Sequence, residues 1–337
     1  MARFILYALC ALLALPAQAR DYRYSDAHLH YVDFFQKSAG MERLLKEMQA
    51  RRIDHVMLSG IPVAKMWHEN EPKRPRYYAG DDAPVYWYSA TDYLIADALK
   101  GLSAEQRRHF HPFISGFNPS DKNAAAHIRR LLERDPGLWH GIGEIFTRHD
   151  DLTALTHGEP PRANSAALNR VYHLAAEHDL PVMVHSNITS KRERNPLYLQ
   201  EIEEPLGEHP DVRFIWAHAG TSMEIHRHQE YLEFLLPQLE RLLSTYQNLY
   251  IDLSWTMLEP YLLDDQGAPD PDWVALVERF PERFMIGSDV VGRFGNLGNH
   301  LQAFDPFLDA LPESVAHQVA RDNFVAILPE AVRQELD

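Results

Sequence analysis

Cysteine is almost missing from this chain: the only one among 337 residues is Cys10. It sits inside the N-terminal stretch MARFILYALCALLALPAQA, so beyond that stretch disulfides and thiolate metal ligands are both excluded. Long apolar runs are missing too. The run from Phe4 to Leu15 is about a dozen residues, whereas a membrane-spanning helix needs about 20, and no later run is long enough. Cations are in short supply: 33 Lys and Arg face 48 Asp and Glu, for a net charge of −15. That balance disfavours a nucleic-acid partner, because binding to a phosphate backbone rests on Lys and Arg. It leaves room for a small anionic substrate held by a few local cations. A glycine-rich phosphate loop after the first strand is absent, as are internal repeats and low-complexity tracts.

The same N-terminal stretch has a basic Arg3, an apolar centre and an A-x-A site at Ala17-Gln18-Ala19. This is the pattern of a secretory signal peptide cut before Arg20. A membrane anchor is the alternative, but the apolar run is too short for one. Tyr7-Ala8-Leu9 ahead of Cys10 does not resemble a lipoprotein box. Residues 1–19 are therefore expected to be removed from a secreted or periplasmic protein. The remaining chain, about 318 residues, suits one large barrel or two modest domains. Losing Arg3, the only charge in the leader, takes the net charge to about −16.

Short apolar runs rich in β-branched residues alternate with helical patterns, as in βα units around a parallel sheet. The strand candidates are YRYSDAHLH, DHVMLSG, HPFISGF, GIGEI, LPVMVHS, VRFIWAHAG, LYIDLSW and RFMIGSD. Amphipathic segments such as MERLLKEMQARR, ANSAALNRVYHLAAEHD and EYLEFLLPQLERLLSTY lie between them. Eight such units count out an α/β fold of the (β/α)₈ TIM-barrel type, a single domain over residues 20–337. A doubly wound open sheet competes, but it would more often carry the glycine-rich loop that is lacking. The connection after the second strand, residues 61–90, is long and aperiodic. It holds two Trp, four Tyr and a basic PKRPR core. Long aperiodic loops in compact domains are usually functional or disordered, and the aromatic content argues against disorder. It is read as a lid over the barrel mouth; an ordered flap or a subunit contact is the alternative.

Histidine is what the chain has in quantity, with 19 residues and three H-x-H pairs: His28/His30, His109/His111 and His226/His228. Barrel active sites sit at the C-terminal ends of strands, and this sorts them. His28 and His30 close the first strand, where i, i+2 spacing points both to one face. His109 and His111 precede the third strand, at the opposite end of the barrel, and read as solvated or packed. His226 and His228 follow the sixth strand in a polar loop that could reach the mouth. Four further strands end in metal-capable or proton-carrying groups: Glu144, His185, His218 and Asp289. Buried imidazoles and carboxylates are costly unless paired or bound to metal. Five strand ends of this kind therefore indicate a shared metal site.

This order of residues resembles the amidohydrolase superfamily: D-x-H-x-H on strand one, Glu on four, His on five and six, Asp on eight. The GIGEI, WAHAG and GSD segments and the closing RDNFVAILP are most similar to its amidohydrolase-2 branch of metal-dependent TIM-barrel hydrolases and related decarboxylases. The resemblance covers nearly all of the chain after the leader. It departs at strand four, where the superfamily often bridges two metals with a carbamylated Lys and this chain has Glu144. The number of metal ions, one or two, is thus left open.

The resemblance implies a divalent ion, Zn²⁺ by expectation, held by His28, His30 and His185 with Asp289 at its edge. Glu144 is read as a further ligand, with a carboxylate that only orients a neighbouring histidine as the alternative. Asp289 is then the general base for a metal-activated water. His218 either polarises the substrate carbonyl or joins a second metal. Arg148, Lys191, Arg192 and Arg293 follow site strands and are candidate contacts for an ionised substrate. The expected function is hydrolysis of an amide, lactone or ester bond in a small molecule. A metal-dependent decarboxylase on the same scaffold is the runner-up, and a non-catalytic binding protein is the third reading. A homo-oligomer is compatible with the sequence, which carries no feature that decides it.

Overall fold

The structure, a computed structural model, describes residues 20–65, 84–149 and 152–336. The expected leader and the centre of the expected lid segment lie outside the described residues. Eight strands form one sheet: β1 (Tyr24–Asp26), β2 (Ile53–Leu58), β3 (Phe110–Ile114), β4 (Gly141–Phe146), β5 (Val182–His185), β6 (Phe214–Trp216), β7 (Leu249–Asp252) and β8 (Phe284–Met285). Each pairs in parallel with its neighbours in chain order. The first and last strands also meet. Ala27 N–H donates to the Ile286 carbonyl at 3.0 Å and Asp289 N–H to the His28 carbonyl at 2.8 Å. Just beyond, Leu29–His30 pairs in parallel with Val290–Val291. This is the connectivity of a TIM barrel, and it brings the first and eighth strand ends side by side.

Helices follow the strands where the sequence shows amphipathic periodicity. They include α1 (Met41–Ala50), α2 (Thr91–Lys100), α3 (Ala124–Arg134), α4 (Ala166–Glu177), α5 (Leu199–Glu208), α6 (Leu235–Thr245) and α7 (Pro271–Arg279). The α4 helix starts where the Ser165 hydroxyl accepts from Leu168 N–H, and α7 where the Asp270 carboxylate accepts from two N–H groups. The α6 helix begins later than the periodic run suggests, which places Pro237 in its first turn, where the missing N–H costs nothing.

The apolar faces of these helices pack on the outside of the sheet around Leu44, Ile95, Ile128, Val171 and Leu239, all buried. Inside the barrel a separate cluster of Met57, Phe113, Met183, Ile215 and Met285 fills the N-terminal end. Phe324, Ile327 and Leu328 from the C-terminal segment plug it from below. Asn323 fixes that plug by donating its amide to the Pro281 and Phe284 carbonyls, each at 2.7 Å.

Of the segment read as a lid only the two ends are described, where Val63–Lys65 and Val85–Trp87 form a short antiparallel ribbon. His111 corrects the sequence reading in one respect: it lies within β3, not before it, and it is fully buried. Its Nε2 stands 3.1 Å from His55 Nδ1 and its Nδ1 3.0 Å from His140 Nδ1. His109 Nδ1–H donates to the Asp54 carbonyl at 2.7 Å.

Candidate metal centre

At the C-terminal end of the barrel the five predicted strand ends converge. His28, His30, Glu144, His185 and His218 are each no more than 2% exposed, and Asp289 joins them from the rim. His28 and His30 project together because they alternate along one extended segment. Gly287 makes the close approach of the eighth strand feasible, since a Cβ there would sit 2.7 Å from the His28 Cβ. Asp289 has a left-handed backbone (φ 49°), which Asp tolerates better than most residues. Ser288 braces that turn, donating N–H and Oγ–H to the Asp26 carboxylate at 2.8 and 2.6 Å.

The tautomers follow from the partners. His28 Nδ1–H donates to Asp252 Oδ2 at 2.8 Å. His30 Nδ1 lies 2.8 Å from both the Gly60 carbonyl and Ser59 Oγ. With both Nδ1 atoms engaged as donors, the two Nε2 lone pairs face each other 3.3 Å apart. Glu144 Oε2 stands 3.3 and 3.2 Å from the same two nitrogens, and Asp289 Oδ1 is 3.3 Å from that of His30. Neighbouring lone pairs and carboxylate oxygens at this spacing repel unless a cation lies between them. Donors bound at about 2.0–2.2 Å to one ion are separated by roughly this much. The donor set fits a divalent metal.

Electrostatics give the same picture. Burial lowers the His30 imidazole, but the Asp289 and Glu144 carboxylates outweigh it and hold it up at about 9. His28 is likewise raised by Glu144, Asp289 and Asp252 against the effect of burial. Burial pushes the Glu144 carboxyl up, and the facing histidines more than reverse this, holding it well below the usual range. Without a metal the pocket thus recruits protons onto its own ligands, the positive charge that an ion replaces.

Glu144 straddles two groups of nitrogens. Its Oε2 faces His28 and His30, while its Oε1 is 3.0 Å from His185 Nδ1 and 3.7 Å from His218 Nε2. His185 therefore stands with His218 across Glu144 and not beside the His28/His30 pair with which the sequence grouped it. His218 stacks on His28 with ring centres 4.9 Å apart, and burial pushes its imidazole down to about 4. Two tight donor groups emerge, His28–His30–Asp289 and His28–Glu144–His218.

Two polar groups at the site escaped the sequence reading. Asp252 ends β7, is fully buried, and accepts from His28 Nδ1, Ser254 Oγ (2.7 Å) and the backbone N–H groups of Ser254 and His218. Its signal was there, a carboxylate at the C-terminal end of LYID. His149, three residues past β4, lies in a loop and carried none.

The candidate substrate cations separate. Arg293 lines the cavity above the metal donors. Arg148 forms a two-pronged pair with Glu201 at 2.8 and 2.6 Å and stacks on Tyr198, so its head is engaged in structure. Arg192 is exposed and Lys191 faces Glu224 at 3.6 Å. His226 and His228 are not in the site: they sit on the helix Met223–Gln229, with Nδ1 of each bonded to a backbone carbonyl of that region.

The centre opens into a cavity of about 540 Å³ with an apolar wall that includes Phe34, Phe146, Leu152, Trp255 and Phe304. Its size is that of a small-molecule site. No helix among the described residues is long and apolar enough to cross a membrane.

Comparison with known proteins accords with this geometry. The sequence matches the family described as Amidohydrolase over residues 25–329. No match was found among curated proteins. An amidohydrolase structure from Burkholderia multivorans with bound Zn is similar at a TM-score of 0.56 and 12% identity, over 91% of this chain and 100% of that one. A probable 2-pyrone-4,6-dicarboxylic acid hydrolase from Acinetobacter baumannii, with citric acid bound, gives 0.54 and 10% over 90% and 98%. A 2,6-dihydroxybenzoate decarboxylase from Rhizobium gives 0.52 and 14% over 91% and 98%. At such identities the structural likeness is one of fold; the family match spans every strand end that bears a metal-capable group. The chain belongs to the amidohydrolase-2 branch of the amidohydrolase superfamily and is a metal-dependent, hydrolase-like enzyme.

Proposed function

We propose that the protein hydrolyses an amide, lactone or ester bond of a small molecule at a divalent metal, with zinc as the first candidate. The observation that carries this reading is the pair of facing Nε2 lone pairs of His28 and His30, flanked by Glu144 and Asp289, at the floor of an open cavity. A divalent ion, when bound there, supplies Lewis acidity and lowers the pKa of coordinated water toward 7. His28, His30 and Asp289 would hold it; Glu144, reaching toward His185 and His218, has the span to serve a second ion. Asp289 is the only one of these carboxylates on the rim, and it lines the cavity. It is the group placed to take a proton from the nucleophilic water and return it to the leaving atom. His218 Nε2, 3.8 Å from Asp289 Oδ2, lines the same wall and is placed to polarise a substrate carbonyl.

Decarboxylation is the second reading, since the same centre beside an aromatic wall also suits an aromatic acid. A panel of lactones, esters, amides and aromatic carboxylates, run with zinc-loaded and chelator-treated protein, tests both. Bond hydrolysis that disappears with the metal supports the first reading. Metal-dependent release of CO₂ alone supports the second, and activity indifferent to chelation refutes both. The reading includes export with residues 1–19 removed. Intact mass of protein recovered from the periplasm should begin at Arg20, and a full-length mass would refute cleavage.

A further inference from the structure

His149 is a buried imidazole for which the metal centre has no use. It is 4% exposed, lines the cavity, and stacks face to face on His185 with ring centres 4.1 Å apart and planes at 17°. Phe146 packs against it at 5.4 Å. Its Nδ1 is enclosed by protein and has no hydrogen-bond partner among the described residues. Nor does any described group bond to its Nε2. One nitrogen of the ring is thus sealed in protein, and the other is left for a group in the cavity to meet.

The chain nevertheless holds this ring firmly. Arg148, immediately before it, has a left-handed backbone (φ 31°) secured by its side-chain pair with Glu201. The His149 carbonyl accepts from Thr153 N–H and from Thr153 Oγ–H, both at 2.8 Å, and the His149 N–H donates to Thr153 Oγ1 at 3.0 Å. A ring fixed from both sides of its backbone, with its cavity-side nitrogen unbonded by any described group, is preorganised to meet a group in the cavity.

We infer that His149 is a substrate-binding residue, donating Nε2–H to an oxygen of the substrate beside the metal centre while Phe146 and Leu152 carry the adjoining apolar part. The enclosed Nδ1 cannot be reached by a ligand, so Nε2 is the nitrogen that serves one, and the proton belongs there. The ligand class is a small molecule with a carbonyl or carboxylate oxygen on a flat apolar body. This deepens the proposed function and rests on reading the cavity as the substrate site.

The test uses benzoate as probe, titrated calorimetrically into the wild type and His149→Phe, His149→Gln and His149→Asn, each zinc-loaded and chelator-stripped, with zinc content measured. Phe keeps the stacked ring and removes the donor; the Gln amide nitrogen falls near Nε2 and that of Asn near Nδ1. The expected result is binding by the wild type, weakened about 10-fold or more in His149→Phe at unchanged zinc content, as for loss of a hydrogen bond to a charged acceptor. His149→Gln should recover most of it and His149→Asn should not. Equal affinity of wild type and His149→Phe, no benzoate binding by the wild type, rescue by Asn instead of Gln, or loss of zinc from His149→Phe would each overturn the inference; the last would make His149 a brace for His185. The ratio between wild type and His149→Phe is also predicted in stripped protein. A wild type that takes up no zinc would therefore refute the metal reading without deciding His149.

Discussion

Asp252→Asn changes one atom in a carboxylate that no solvent reaches, and its consequence can be worked from the bonds it accepts. Asp252 Oδ2 takes hydrogens from His28 Nδ1, Ser254 Oγ and the His218 N–H, and Oδ1 takes the Ser254 N–H. The Asn variant has one acceptor oxygen. If that oxygen sits at the Oδ2 position, its NH₂ group meets the Ser254 N–H. If it sits at Oδ1, the NH₂ meets His28, whose easiest response is to move its proton to Nε2 and lose the lone pair that faces the metal. Either arrangement also removes a negative charge that raises His28 basicity. Partners that orient a metal-ligating His in this way are worth about 10- to 100-fold in metal affinity, or roughly 1.4–2.7 kcal/mol. The assay is competition for zinc against a chromophoric chelator, with a thermal melt of the metal-free protein to separate folding from binding. The predicted result is weaker zinc binding by that factor, with kcat falling alongside. Wild-type zinc affinity in a folded Asp252→Asn protein would refute the reasoning, and with it the assignment of Nδ1 as the donor nitrogen of His28.

Asp289→Asn should retain the fold and most of the metal while lowering kcat by at least about 100-fold, as for loss of a general base, in steady-state kinetics on whichever substrate the panel yields. Glu144→Gln should lower metal stoichiometry and activity together, because one of the two oxygens that face separate nitrogen groups becomes a donor; unchanged stoichiometry by elemental analysis with a modest rate loss would leave Glu144 an outer support and the site mononuclear. At the far end of the barrel, burial holds the His55 ring down at about 4, so it is neutral in the fold while the unfolded chain protonates near 6.5. Its contribution is complete above about pH 6.5 and drains away as pH falls toward 4, a loss of roughly 3 kcal/mol at the limit. Thermal melts of metal-free protein should show Tm falling over that window, with a shallower slope in His55→Gln; identical slopes would refute the assignment.

The barrel was legible because each strand is a short buried run that ends in a turn, and parallel strands buried on both faces show as apolar runs even without alternation. The convergence of candidate donors was legible by position: His28, His30, Glu144, His185, His218 and Asp289 break apolar runs at the same end, and the structure brings them together. Asp252 obeyed the same rule and was passed over because LYIDLSW reads as an ordinary strand closing on a turn. What sequence could not give was pairing across the site. Nothing in the chain says that Glu144 separates His185 from His28 and His30, because that depends on which oxygen faces which ring. The same holds for Arg148, whose partner Glu201 lies on α5, 53 residues away. His149 was invisible because it belongs to no periodic element; its position comes from a left-handed residue before it and a Thr153 bond after it.

The chemistry of the centre rests on the metal, and the most direct measurement is zinc stoichiometry by elemental analysis after loading and dialysis. It is made on the wild type, on the His28→Ala/His30→Ala double variant, and on His109→Ala, whose ring lies at the opposite end of the barrel. The prediction is at least about one ion per chain in the wild type and in His109→Ala, with near-complete loss of ion and activity in the double variant. Equal zinc in the wild type and the double variant, or full activity in a chain stripped of metal, would contradict it.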